Sequence, residues 1–318
     1  MCIHGARFII LALLLQLIFA CPNLAKQVER APENHYVLAD GLRLHYVVSG
    51  QGQPLILLHG NDGTLQDFTM SIFNNLSVKY KTIAFDRPGH GDSEAHWYRL
   101  LPPQAQARIL HSAINKLGVN RPLLVAHSWS GALALSYALQ FPNDLSGLVL
   151  LGSVAYDTKE LEPKPFYYMS RLPIIRTAAA FTFMAIGKEE VKKELAKAFF
   201  PDVAPEPYVH NFLSSLCRLS QIRAAAYDEI TLNPALKQMS SEYPDIHVPV
   251  IIVTGDHDKI VSPEKHSYPL HKAISQSHLV VVHNAGHELQ FSCQREVMAA
   301  IDLAVSPSLK DCITVSAQ

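Results

Sequence analysis

The sequence predicts an α/β fold in which a mostly parallel sheet is flanked by helices and interrupted by an inserted helical cap. Three observations predict it. Short unbroken apolar runs alternate with stretches of helical period, the pattern of strands buried on both faces and joined by crossover helices. The alternation stops over residues 155–243 and then resumes. The chain has 318 residues, 48% of them hydrophobic and 17% charged, enough apolar material for one large core.

The elements follow in order. His35–Leu38 and Leu42–Val48 flank Ala39-Asp40-Gly41, and an Asp-Gly between two alternating runs signals a hairpin. Pro54–Leu58 is a continuous apolar run, as are Thr82–Phe85, Leu123–Ala126 and Leu148–Leu151. Between them, Gln104–Leu117 places Ala107, Leu110, Ile114 and Leu117 at helical spacing, and Gly131–Gln140 is helical up to Phe141-Pro142. From Ala155 to Tyr243 no strand-like run occurs. This stretch holds a helical segment, Lys188–Phe200, with Val191, Leu195 and Phe199 on one stripe and a Glu189–Lys193 pair. The sheet pattern returns with Val250–Val253, a helix near Pro263–Ile274, the run Leu279–Val282, and a last helix from Glu288 to Val305. The core therefore comprises residues 34–154 and 244–305, the cap 155–243, and a C-terminal tail 306–318.

The first twenty residues read differently. Arg7 precedes Phe8–Ala20, thirteen residues apolar apart from Gln16, which is the length of a signal-peptide core and short for a membrane span. Residues 1–20 are thus expected to be a signal peptide and 21–33 a polar tether. Ile18-Phe19-Ala20-Cys21 resembles a bacterial lipoprotein signal, apart from Phe19. Lipidation of Cys21, giving attachment to a membrane, and plain cleavage nearby, for instance after Ala25, both fit. Either way the expected location is exported: periplasmic, lipid-anchored or secreted. Of the five cysteines, Cys293 and Cys312 could staple the tail or remain buried thiols. The formal net charge of −1, with no run of basic residues, argues against nucleic acid as a partner. With no CxxC and no HExxH, no metal and no cofactor is expected.

The chemistry gathers at the ends of the strands. Ser128, in Ala126-His127-Ser128-Trp129-Ser130-Gly131, lies between a strand and a helix. A serine becomes a useful nucleophile when a base takes its proton, a third group orients that base, and donors meet the oxyanion. A sharp strand-to-helix turn needs small residues two positions either side of the serine, and Ala126 and Ser130 are small although neither is the glycine of G-x-S-x-G. An isolated serine there could equally cap the helix.

Four segments together resemble the α/β-hydrolase superfamily, in the branch containing esterases, cofactor-free haloperoxidases and epoxide-hydrolase relatives. They are the Ser128 elbow, His59-Gly60-Asn61-Asp62-Gly63, Asp86-Arg87-Pro88-Gly89-His90-Gly91-Asp92-Ser93, and Leu279–His287 with its Asn284-Ala285-Gly286-His287 end. The resemblance spans roughly His35 to Val305. It implies the α/β-hydrolase fold, with Ser128 as nucleophile and His287 as base in the chain order Ser…Asp…His. It implies an oxyanion hole made by the backbone N–H groups of Asn61 and Trp129. In relatives the acid stands three residues after a glycine that follows a strand, which selects Asp258 in Thr254-Gly255-Asp256-His257-Asp258. Asp256 is the near alternative. Asp157, after the run Leu148–Leu151, is the distant one, since some members place the acid there. The Asp86–Ser93 loop, His59 and the remaining histidines of these segments are expected to shape loops.

Relatives that open epoxides or remove halides carry Asp at the elbow. Ser128 instead implies acyl transfer. The expected function is a serine hydrolase, a carboxylesterase acting on a small-molecule ester of small to medium size. Amide, lactone or C–C bond hydrolysis, with perhydrolysis as a side activity, would use the same triad. A non-catalytic binding module on the same scaffold is the alternative of another class.

Overall fold

Residues 33–95, 99–163, 189, 191–216 and 218–306 are described by the computed structural model. The expected signal peptide, Cys21 and nearly all of the expected tether fall outside them. So does Cys312, and with it the Cys293–Cys312 link.

Among the described residues eight strands form one sheet: β1 (Asn34–Ala39), β2 (Leu42–Ser49), β3 (Pro54–Leu58), β4 (Lys81–Phe85), β5 (Leu123–His127), β6 (Gly147–Leu151), β7 (Val250–Gly255) and β8 (Ser277–Val282). Their order is β1-β2-β4-β3-β5-β6-β7-β8. The β1–β2 and β2–β4 pairs are antiparallel, and β3–β4, β3–β5, β5–β6, β6–β7 and β7–β8 are parallel. The hairpin turn has φ of 47° at Asp40 and 78° at Gly41, the two positive values that a type I′ turn requires.

The central strands are apolar throughout because both faces are covered. Ile56, Leu58, Leu124, Ala126, Leu148, Leu150, Val250 and Ile252 enter one core, and the residues between them, Leu55, Leu57, Leu123, Val125, Val149, Leu151, Ile251 and Val253, enter the other. Helices α3 (Pro103–Lys116) and α4 (Ser130–Gln140) cover the first face. Helices α1 (Gln66–Thr69) and α2 (Phe73–Ser77) and the final helix α10 (Gln294–Val305) cover the second.

Three helices of the inserted stretch are described: α5 (191–199), α6 (Glu206–Leu216) and α7 (Leu219–Met239). No strand occurs among the described residues between 155 and 243. Leu195 and Phe199 of α5 pack with Tyr208 of α6 and with Val191 in a small cluster of their own. Glu189 pairs with Lys192 at 2.8 Å. The end of α7 is different, for Leu232, Leu236 and Met239 belong to the main core.

Local differences from the sequence expectation lie in short elements. Helices α1 and α2 are too brief to show a full helical period. The helix expected from Pro263 is α8 (Ser267–Ala273), preceded by turns, and the last helix is divided at Cys293 into α9 (Leu289–Ser292) and α10. No described helix is long and apolar enough to cross a membrane.

Candidate active site

The loops after β3, β5, β7 and β8 all leave the same, carboxyl end of the sheet, where an open α/β sheet keeps its sites. Ser128 follows β5 with φ of 55°, a left-handed conformation rare for a non-glycine residue and characteristic of a strained elbow. Its N–H is tied to the Leu151 carbonyl at 2.9 Å, and its carbonyl accepts from Gly131 and Val154 at 3.0 and 3.1 Å. Small neighbours make the turn feasible. A Cβ on Gly131 would lie 2.3 Å from that of Ser153, and a Cβ on Gly60 would lie 3.2 Å from that of Ser128. Ala126 and Ser130 are both fully buried, and the Ser130 hydroxyl donates to the His59 carbonyl.

The structure joins the three residues that the sequence singles out. The Ser128 hydroxyl donates to His287 Nε2 at 2.9 Å, and His287 Nδ1–H donates to Asp258 Oδ2 at 2.8 Å. The other carboxylate oxygen of Asp258 accepts the backbone N–H groups of Ile260 and Val261, both at 2.8 Å. Burial of His287 pushes its pKa down, but the charge and hydrogen bond of Asp258, helped by Glu288, outweigh burial and leave it raised above 6.5. Asp258 thus fixes the tautomer and favours the imidazolium form that a general base passes through.

The rival acids stand apart from this chain. Asp157 is exposed, and Asp258 already occupies the Nδ1 it would need. Asp256 bridges two other histidines, His257 Nδ1 at 2.7 Å and His283 Nδ1 at 3.1 Å. His59 donates to the Gly60 carbonyl through Nδ1 and accepts the Arg87 N–H on Nε2, so it shapes the loop as expected. Asp86 is a structural hub. It accepts the N–H groups of Leu65 and Asp92 and the Nδ1–H of His45, and a Cβ on Gly91 would collide with its carboxylate.

Asn61 follows Gly60, on which a Cβ would lie 3.2 Å from that of Ser128, and Trp129 follows Ser128 in sequence. The Asn61 side chain donates to Glu229 of α7 at 2.7 Å, while its Oδ1 is buried without a hydrogen-bond partner among the described residues.

Several contributors escape a reading of the sequence. Gly152, with φ of 49°, lies against the Asp258–His287 pair, where an added Cβ would sit 3.1 Å from Asp258 Oδ2 and from His287 Nδ1. Its signal was a lone glycine directly after the run Leu148–Leu151. Asp228, on α7, holds Arg87 at 2.6 Å and His90 at 3.0 Å, both buried. It lies in a stretch whose pattern gives no hint of a site. Glu288 is buried beside His287, and burial pushes its pKa up to about 7 against the pull of that histidine. His127, His287 and Glu288 can each bring one ligand atom within 4.8 Å of the others, as a metal site would. Both ring nitrogens of His287 are committed to Ser128 and Asp258, however, and His127 Nε2 donates to the His287 carbonyl at 3.1 Å.

Comparison with known proteins identifies the fold that carries this geometry. A family profile described as the alpha/beta hydrolase fold matches residues 53–292. A cis-3-alkyl-4-alkyloxetan-2-one decarboxylase of Shewanella oneidensis is 25% identical over 209 residues, 64% of this chain and 64% of that protein, so the match spans just under two thirds of the relative. The 2-hydroxy-6-oxo-6-phenylhexa-2,4-dienoate hydrolase of Comamonas testosteroni is 24% identical over 259 residues, 78% of this chain and 86% of that one. Among solved structures, a malate-bound thermophilic esterase from Thermogutta terrifontis superposes with a TM-score of 0.67 at 19% identity, covering 85% of this chain and 97% of that one.

Proposed function

The chain belongs to the alpha/beta hydrolase fold family, and from that premise we propose that it is a serine hydrolase working by nucleophilic acyl transfer, with carboxylic-ester hydrolysis of small to medium substrates as its main reaction. The hydrogen-bonded chain from Ser128 through His287 to Asp258 carries the reading.

In this reading His287 Nε2 takes the hydroxyl proton as Ser128 Oγ attacks the ester carbonyl. The developing oxyanion is met by the backbone N–H groups of Asn61 and Trp129. Collapse expels the alcohol with the proton returned by His287, and an acyl-serine remains. Water, activated by the same nitrogen, then releases the acid.

C–C bond hydrolysis is the second reading, and the likeness to the Comamonas hydrolase supports it. Its carbanion leaving group must be protonated before release, whereas an alkoxide from an activated ester needs no such help. Either enzyme could therefore turn over p-nitrophenyl esters. The two readings are separated by comparing those esters, in a series of graded acyl length, with a vinylogous 1,5-diketone acid, which only the second reading expects to be cleaved.

The test is that series with Ser128→Ala as the blank. The expected loss is about 10⁴ to 10⁶ in turnover with folding unchanged, since removing a triad member costs on that order. Labelling of a different serine by a fluorophosphonate probe would overturn the assignment.

A further inference from the structure

We infer that Arg87, held by Asp228, is a positioning residue that aims both halves of the oxyanion hole, so that helix α7 of the inserted stretch is part of the catalytic apparatus. The inference rests on the reading of Ser128 as nucleophile.

A guanidinium has five N–H donors in a rigid plane. Those of Arg87, buried beneath the nucleophile loops, are spent on a narrow set of acceptors. Nε donates to the His59 carbonyl at 3.2 Å. Nη2 donates to the Gly60 carbonyl at 2.7 Å and to the Asn61 carbonyl at 3.3 Å. Nη1 donates to Asp228 Oδ2 at 2.6 Å and to Gln106 Oε1 at 3.1 Å. Three consecutive carbonyls of one loop thus face one cation.

The Gly60 carbonyl matters most. It shares a peptide plane with the Asn61 N–H, and in a planar trans peptide the C=O and N–H point in opposite directions. Pinning Gly60 O to the guanidinium therefore turns the Asn61 N–H away from Arg87. The closeness of Gly60 to Ser128 puts the nucleophile at that loop. A cation on the carbonyl also polarises the peptide and strengthens its N–H as a donor.

The second donor is tied to the same pair. The Arg87 guanidinium stacks on the Trp129 ring, 4.2 Å from its centroid, and the indole Nε1–H donates to the Asp228 backbone carbonyl at 3.3 Å. Trp129 is thereby fixed on its face by Arg87 and at its edge by Asp228. The Asp228 carboxylate in turn accepts from Arg87, from His90 Nε2 at 3.0 Å and from Gln106 Nε2 at 2.8 Å. Arg87 and its neighbours hold the Asp228 carboxylate below its usual range despite burial.

Removing one partner of a buried pair is strongly destabilising, so the test uses two milder variants. Arg87→Lys keeps the charge but lacks the fork that reaches Asp228 and Gly60 together. Asp228→Asn keeps one acceptor oxygen, enough for the Arg87–His90 side or for Gln106 but not both, and leaves the backbone carbonyl for Trp129. For each folded variant, kcat and KM on a p-nitrophenyl ester are measured, with the rate of Ser128 phosphonylation by a fluorophosphonate, whose phosphoryl oxygen occupies the oxyanion position.

The expected result is a fall of roughly 10- to 100-fold in kcat and in labelling rate, somewhat less than the loss of a whole oxyanion donor. KM should stay within about twofold, because the donors act in the transition state. The pH midpoint of kcat/KM should not move, because the His287–Asp258 pair is untouched. Labelling and turnover at wild-type rates in both variants, a loss confined to KM, or a shifted pH midpoint would each overturn the inference. A wild-type protein that neither labels at Ser128 nor hydrolyses the ester would overturn the reading of the triad instead.

Discussion

The loops after β7 and β8 each bury one carboxylate beside His287, and the two are treated differently. Asp258, after β7, has a donor for every direction it faces: two backbone N–H groups on one oxygen and His287 on the other. Glu288, after β8, receives the Gln290 amide at 2.6 Å, stands 4.0 Å from His127, and faces a second buried acid, Asp67. Burial dominates both members of that acid pair. It pushes Glu288 up to about 7 and Asp67 well above the usual carboxylate range. At similar depth the two acids thus differ in the donors they face: three hold Asp258, and one amide meets Glu288. Depth alone does not identify a catalytic acid; the donors around it do.

The largest expected effect tests Asp258 directly. Asp258→Asn should cost about 10⁴ in turnover, the scale seen when the histidine tautomer is set wrongly. Asp157→Asn should cost less than about tenfold, because it leaves the partner of His287 intact. Steady-state kinetics of both variants on one ester decides it. A reversed order would move the acid to the loop after β6.

The contrast predicts the opposite behaviour for Glu288, and in stability rather than rate. A carboxyl whose folded pKa is raised from 4.5 to about 7 favours the fold while it stays protonated. That contribution is fully present below about 4.5 and is lost as pH rises to about 7. Glu288→Gln keeps the neutral form at every pH. It should match the wild type near pH 4 and exceed it by roughly 3 kcal/mol at pH 8, since a tenfold change in proton affinity is worth about 1.4 kcal/mol. Denaturant midpoints of the two proteins across this range are the measurement. Parallel profiles would show that Glu288 is ionised in the fold.

What could be read from the sequence follows the same division. Ser128, His287 and Asp258 stand in loops after apolar runs, and the family resemblance of those loops singled them out, with Asp256 and Asp157 left open as rival acids. The sheet was legible because buried parallel strands must be apolar at every position. Gly152 was visible only as a glycine, since its role depends on an acid and a base from two other strands. Arg87 and Asp228 are separated by 141 residues and meet only through the packing of α7 on the core. Glu288 followed a recognised histidine, but it is buried within electrostatic reach of Asp67, more than two hundred residues away in sequence, to which its own neighbours in sequence give no clue. The short helices α1 and α2 carry too few residues for a period to show.

The smallest effect joins the two loops in one measurement. His287 must be neutral to accept the Ser128 proton, so kcat/KM should rise with pH. Its raised pKa puts the midpoint above 6.5, with Asp258 opposing the burial that would otherwise lower it. Glu288 adds to that field when it ionises, and because it titrates near 7 the two groups share the window and the observed midpoints belong to the pair. Glu288→Gln removes a negative charge that favours the imidazolium. The midpoint should therefore move to lower pH while the plateau rate stays near that of the wild type, since Asp258 still sets the tautomer. Asp258→Asn should move the midpoint in the same direction and further, on top of its loss of rate. A pH profile of kcat/KM for the three proteins is sufficient. An upward shift in Glu288→Gln, or a wild-type midpoint below 6.5, would mean that the field at His287 is not the one set by these two carboxylates.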